Sequence, residues 1–253
     1  MSLTAIIGGT GLTQLDNLQL THKEMMNTPF GDTSGPLSFG KIGNQDVVFL
    51  ARHGGHHTIP PHRVNYRANL WALKEAGVSR VIAVAAVGGI TREMSPERIV
   101  IPDQIIDYTH SRAQTFFEDD LDFVTHIDFT HPYDQGLRQV LLDSAAELSL
   151  DAFDGGVYAA TQGPRLESAA EVNRLERDGC DLIGMTGMPE AALARELELR
   201  YACCALVVNW AAGRAGQEEI SIAEMEKCLH SGMQKVRNLL ELTLPAIQLA
   251  RAT

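Results

Sequence analysis

Apolar runs of strand length recur along the chain, separated by segments with helical spacing. That alternation predicts a largely parallel sheet with crossover helices. The first run, Ala5-Ile6-Ile7, stops at Gly8-Gly9. Leu37 to Ile42 and Asp46 to Leu50 alternate around Gly43-Asn44, a pair suited to the positive φ angles of a tight hairpin. This predicts one antiparallel pair in an otherwise βα pattern. Further strands are predicted at Arg80 to Val87, Arg98 to Ile106, Gly156 to Thr161, Asp181 to Met185 and Tyr201 to Val208, the last apolar enough for burial on both faces. Helices are predicted near 65–76, 134–149, 168–178, 188–199 and 221–243. Two of them open on Ser-x-x-Glu, Ser168 with Glu171 and Ser221 with Glu224, where side chains can satisfy the open backbone donors of a helix start. Pro245 is expected to end or kink the last helix.

The sum is a single α/β domain over 1–253, with a central mixed, largely parallel β-sheet flanked by helices; no Pro-, Ser- or charge-rich stretch is long enough to be a linker. One segment departs from the pattern. Tyr108 to Tyr133 is rich in aromatics, His and Asp and has no period, which fits a site loop or subunit contact, with a surface insertion as the alternative.

Composition narrows the function. A net charge of -11 argues against nucleic acid as a partner, because binding a phosphate backbone needs clustered Lys and Arg. No run approaches the ~20 apolar residues of a membrane span, and the N-terminus lacks a basic region before its apolar stretch, so a cytoplasmic location is expected. Cys180, Cys203, Cys204 and Cys228 have no CxxC spacing and read as reduced core residues.

Three segments could carry chemistry. Gly8-Gly9-Thr10-Gly11 follows a strand, so its N–H groups and the Thr10 hydroxyl can meet an anion, or it is only a glycine turn. It is neither a P-loop nor a dinucleotide fingerprint, since no Gly-Lys-Ser/Thr follows and Gln14 stands where a third glycine belongs. Ala51-Arg52-His53-Gly54-Gly55-His56-His57 follows the strand ending at Leu50, with His62 further on. Arg52 offers a planar fork for an oxygen anion. The histidines raise a metal as the rival, but no carboxylate accompanies them at a recognised zinc spacing, so no metal is assigned; His56 and His62 fit a surface loop best. Met185-Thr186-Gly187-Met188-Pro189-Glu190 closes a strand and opens a helix. Thr186 is placed at a strand's carboxyl end, where α/β sheets bind ligands, or as an N-cap, and Glu190 where the helix dipole favours a carboxylate. Glu167, in Gly163-Pro164-Arg165-Leu166-Glu167-Ser168 before the helix at 168–178, either favours that helix's dipole or faces a ligand.

Taken in order, GGTGL, ARHG with a following His57, NYRANLWALKEAG, AAVGG, GPRLESAAE and MTGMPEAALARE resemble the trimeric purine nucleoside phosphorylase and methylthioadenosine phosphorylase family over nearly the whole chain. IIGGTGL and LARHG…HTI are most similar to the methylthioadenosine branch. The resemblance implies a nucleoside phosphorylase fold, a purine nucleoside as substrate, inorganic phosphate as co-substrate with no cofactor, and a homotrimer. It implies phosphate binding by Thr10, Arg52, His53, the backbone around Ala85 and Ala86, and Thr186. Relatives often carry a hydroxyl residue at the Ala85 position and a basic residue at Gly55, so phosphate affinity is expected to be modest. Met185 is implied to pack on the ribose with His57 nearby, and His126 to reach a neighbouring subunit's site.

The implied chemistry is substitution at the anomeric carbon, with an oxocarbenium-like sugar and an anionic leaving purine, and with Asn209, Glu167 and His53 as its catalytic residues. In the methylthioadenosine branch the strand matching Val207 to Ala212 ends on two aspartates spaced two apart; here those positions are Asn209 and Ala211. An amide can donate to a 6-oxo oxygen while accepting from protonated N7. Glu167 matches the 6-oxopurine branch, where an ionised carboxylate accepts from N1–H. Leu166 and Ala211 complete the implied base pocket. Ile222 and Met225, on one helix face, supply no strong donor and favour an apolar methylthio group over a hydroxyl, with core packing as the alternative. The expectation is phosphorolysis of S-methyl-5′-thioinosine to hypoxanthine and 5-methylthioribose 1-phosphate. The alternatives are methylthioadenosine or general 6-oxopurine nucleosides as substrate, a metal-dependent hydrolase, or a non-catalytic nucleoside sensor.

Overall fold

A computed structural model describes residues 3–13, 15, 17–119, 121–216 and 219–249, with side chains through Ile247; Gln14 lies outside these. The chain opens with β1 (Leu3–Gly8), β2 (Gln19–Glu24), β3 (Leu37–Ile42) and β4 (Gln45–Ala51). A 3-10 turn at Pro61–Arg63 leads into α1 (Tyr66–Glu75), followed by β5 (Val78–Gly89), β6 (Ile99–Ile101) and β7 (Gln104–Asp107). The second half runs α2 (Gln135–Glu147), β8 (Ala152–Asp154), β9 (Val157–Ala160), α3 (Ala169–Arg177), β10 (Leu182–Gly184), α4 (Gly187–Glu196), β11 (Arg200–Trp210) and α5 (Ile222–Leu249).

Among the described residues the eleven strands form one mixed, largely parallel sheet. Its central strands alternate their side chains between two helical layers. Ala5 and Ile7 pack with Leu70 and Leu73 of α1 and Leu193 of α4, whereas Ile6 packs with Leu137 and Leu141 of α2 and Val236 and Leu240 of α5. Burial on both faces explains why these strands read as continuous apolar runs.

The middle of the sheet diverges. β5 lies parallel to β11 from Arg80 to Gly89. On its other edge it pairs with β1 only as far as Ala83, and with antiparallel β10 only at Gly88 and Gly89. Among the described residues no strand covers Val84–Val87 on that edge, and a crevice opens there, as ligand sites do where neighbouring strands part.

Several expectations need correction. The run Arg98 to Ile106 is two strands, parted by Pro102, which has no N–H to donate to a ladder. The 3–4 hairpin is not the one antiparallel pair, because β2 pairs antiparallel with β3, β10 with β5 and β6 with β11. In the hairpin turn Gly43 takes positive φ (57°) and Asn44 does not, the pattern of a turn with glycine in its first central place. Helix α5 runs on past Pro245 to Leu249. Ser168 forms the full capping box with Glu171, and Ser221 Oγ accepts from Glu224 N at 3.3 Å. All four cysteines are free and buried, as expected of core thiols. No helix among the described residues is long and apolar enough to cross a membrane.

Candidate active site

A cavity of about 640 Å³ opens at the divergence of β5 and collects the carboxyl ends of β1, β4, β5, β10 and β11. Its lining includes Thr10, Arg52, His53, Ala85, Ala86 and Thr186, the residues expected around phosphate, together with Gly9. Gly9 is required by close approach. A Cβ there would lie 2.6 Å from the Val84 carbonyl oxygen and 3.0 Å from Arg52 Nη1.

Arg52 is not the open fork the sequence predicts. Its Nε and Nη2 donate to Glu190 Oε2 and Oε1, each at 2.7 Å, and its Nη1 donates to the Val84 carbonyl at 2.9 Å. The ion pair is sealed, with Arg52 1 % and Glu190 0 % exposed, and Tyr201 Oη adds a 2.8 Å bond to Glu190 Oε1. Burial alone would lower the guanidinium's pKa; the Glu190 carboxylate overrides it and holds Arg52 well above its ordinary value. A guanidinium carries five N–H donors, so one hydrogen on each terminal nitrogen is left for an anion in the cavity. Glu190 therefore does more than serve the helix dipole. It fixes the plane of Arg52.

His53 Nδ1 lies 2.8 Å from the Ile59 carbonyl, which can only accept, so this nitrogen carries the proton and Nε2 is the lone-pair face of the neutral ring. Burial, then the Arg52 charge, pushes the imidazole down to about 4. A neutral ring in this tautomer would meet phosphate as an acceptor for a phosphate O–H. His57 stands beside it at positive φ (54°), with ring centroids 4.6 Å apart and its Nε2 3.5 Å from Thr10 Oγ1. Thr186 precedes α4 without capping it through its side chain, and the helix is interrupted at Met188, whose φ and ψ are not helical.

The same cavity is lined by Leu166, Glu167, Asn209 and Ala211, the residues expected of a base pocket. The register of β11 against β5 slips between Val207 and Asn209. Such a bulge breaks strand alternation and re-aims side chains, so the consecutive residues Val208 and Asn209 both line the cavity. Asn209 Nδ2 donates to the Trp210 carbonyl at 2.7 Å, which leaves Oδ1 and the second amide hydrogen for a ligand. Met185 also lines the cavity, as do Ile222 and Met225 together with Ile220, Glu226 and Leu229. His126 is exposed and lies outside this lining, in a segment that also exposes Phe123 (76 %) and Val124 (70 %). His56 and His62 are outside it too, and among the described residues no group of three His, Cys, Asp or Glu is arranged to hold a metal ion.

Sequence reasoning missed Glu190's role, Tyr201, Thr161 and Arg112. Arg112 comes from the aperiodic 108–133 segment. Its Nη1 donates to the carbonyls of Met185 (2.9 Å) and Met188 (2.6 Å), and its Nη2 to those of Thr161 (3.3 Å) and Gln162 (2.8 Å). One guanidinium thus ties the loop before Glu167 to the loop carrying Met185 and Thr186. The clue in the sequence was only that a long segment without a period tends to be functional.

Comparison with known proteins places this geometry. The family model described as Phosphorylase superfamily matches residues 4–245. The probable S-methyl-5′-thioinosine phosphorylase of Pseudomonas syringae pv. tomato is 55% identical over 246 residues, 97% of this chain and 100% of the relative. The 6-oxopurine nucleoside phosphorylase of Pyrococcus furiosus is 42% identical, covering 98% of this chain and 94% of its own. Among solved structures, methylthioadenosine phosphorylase from Schistosoma mansoni in complex with adenine superposes with a TM-score of 0.94 at 29% identity, covering 98% of this chain and 92% of that one.

Proposed function

The chain belongs to the phosphorylase superfamily, and from that premise we propose that it splits S-methyl-5′-thioinosine with inorganic phosphate into hypoxanthine and 5-methylthioribose 1-phosphate. The observation that carries the choice of base is that Glu167 and Asn209 line the same cavity. A carboxylate that accepts from N1–H, with an amide that accepts from N7–H and donates to O6, matches a 6-oxopurine. Adenine presents a lone pair at N1 and a donor at C6, and such mispairing of polar groups is worth on the order of 10⁴ in selectivity.

Phosphate would sit among Thr10, Arg52, His53, Thr186 and the open edge of β5 at Ala85 and Ala86. Met185 would pack on the ribose. Charge then develops at two places, positive at the anomeric carbon and negative on the departing purine. The phosphate held by Arg52 answers the first, and Asn209 the second. No enzyme nucleophile is needed. Ile222 and Met225 give the 5′ end its apolar wall and favour the methylthio group. Glu226 and His57 line the cavity as well and favour a second reading, a 6-oxopurine nucleoside with a 5′-hydroxyl. The exposed 121–126 segment with His126 fits a homotrimer in which it reaches a neighbour's cavity, and the free cysteines fit the reducing cytoplasm.

The test is a product-resolved comparison of methylthioinosine, methylthioadenosine and inosine, with and without phosphate. Fastest turnover of methylthioinosine, strictly dependent on phosphate, is expected. Faster turnover of methylthioadenosine overturns the base assignment, and faster turnover of inosine the sugar assignment.

A further inference from the structure

Thr161 follows β9 and stands six residues before Glu167. Its side-chain oxygen lies 2.6 Å from Glu167 Oε1 and 3.3 Å from the Gly184 carbonyl oxygen. A hydroxyl has one proton to donate. The Gly184 carbonyl is already served by the Thr161 amide at 2.8 Å, so the shorter and stronger bond, to a carboxylate, takes the hydroxyl proton. Thr161 is buried and is not part of the cavity's lining, whereas Glu167 is half-buried and lines it. The nearest cation in sequence, Arg165, makes its side-chain ion pair with Glu171, at 2.7 and 2.8 Å, and no hydrogen bond to Glu167.

We propose that Thr161 is a specificity-determining positioning residue, whose hydroxyl holds Glu167 Oε1 so that the carboxylate stays turned into the cavity. This rests on the reading of Glu167 as the partner of purine N1. A glutamate on a loop at a cavity mouth has three torsions and solvent beside it. Turned outward, it would present nothing to N1 and the pocket would lose much of its preference between 6-oxo and 6-amino bases. The buried hydroxyl stops that turn while leaving Oε2 for the ligand.

The experiment measures the ratio of kcat/KM for methylthioinosine to that for methylthioadenosine in the parent, Thr161→Val, Thr161→Ser and Glu167→Ala proteins, with melting temperature as the check on folding. Thr161→Val keeps the shape without the donor and is expected to lower the ratio about tenfold or more, the loss of one hydrogen bond to a charged group. The fall comes from the 6-oxo substrate, with KM for phosphate unchanged. Thr161→Ser, which keeps the hydroxyl, is expected to restore the ratio. If Glu167→Ala collapses the ratio while Thr161→Val leaves it within about twofold of the parent, less than such a bond is worth, Thr161 has no such role and the Glu167 reading stands. If Glu167→Ala leaves the ratio unchanged, both fall. Should Thr161→Val fail to fold, Thr161→Ala carries the same comparison.

Discussion

Replacing Glu190 by glutamine keeps the side chain's shape and removes the charge that balances Arg52. Both groups are fully enclosed and joined by two 2.7 Å bonds, and Tyr201 supplies a third group to the same carboxylate. Breaking one side of a buried pair costs about 3–5 kcal/mol, because the remaining charge stays desolvated. Set against a total stability of about 5–15 kcal/mol, this is a large share. At about 2–4 °C per kcal/mol for a chain of roughly this size, Glu190→Gln is expected to lower Tm by about 6–20 °C. Tyr201→Phe removes only one donor to the carboxylate and is expected to cost less, about 1.5–3 kcal/mol. Calorimetry on the three proteins ranks them, and steady-state kinetics adds a second reading. With Arg52 no longer held in one plane, KM for phosphate should rise while KM for nucleoside changes less. A Glu190→Gln protein that melts within about 2 °C of the parent, below the smallest cost expected of a buried pair, and keeps its phosphate KM would refute the argument that this pair is the frame of the anion site.

Three further outcomes are expected. The His53 imidazole falls from its usual 6.5 to about 4, first through burial and then through Arg52, so between those values the unfolded chain binds a proton that the folded chain does not. Its contribution to stability is therefore complete above pH 6.5 and lost as pH falls towards 4; His53→Gln should flatten the acid decline of Tm, and an unchanged slope would count against it. Arg112→Lys leaves one ammonium where a planar fork reached four carbonyls, and should lower kcat/KM for nucleoside by about tenfold or more, while parental kinetics would show that the two loops hold themselves. The double change Glu167→Ser with Asn209→Asp should shift preference towards methylthioadenosine in competition assays; a uniform loss with both substrates would place the base elsewhere.

Much of this molecule could be read from its sequence because the strands that build the cavity carry apolar runs buried on both faces, and three of them, β1, β5 and β10, end in glycine. Ala5-Ile6-Ile7 before Gly8, and Asp181 to Met185 before Thr186, brought Thr10 and Thr186 to one place as expected. What could not be read depends on distance or on a silent pattern. Glu190 looked like an ordinary first-turn carboxylate, since its partner Arg52 is 138 positions away. Strand β2, Gln-Leu-Thr-His-Lys-Glu, is exposed along its whole length and has no apolar face to announce it. Arg112 acts through main-chain carbonyls, which leave no trace in side-chain type. The slip at Val208 is invisible as well, yet it turns Asn209 towards the cavity.

The uncovered edge of β5 also bears on how this enzyme tolerates change. Alternate residues of a strand turn their peptide groups to opposite edges, so between Val84 and Val87 every second amide faces the open side, while pairing with β11 on the other side keeps the strand stiff. These amides belong to the main chain, and among side-chain replacements only proline deletes one. Under the proposed reading, alanine at position 85 offers phosphate no side-chain donor, so an oxyanion seated on this edge would be held by the peptide groups, which the fold itself keeps in place.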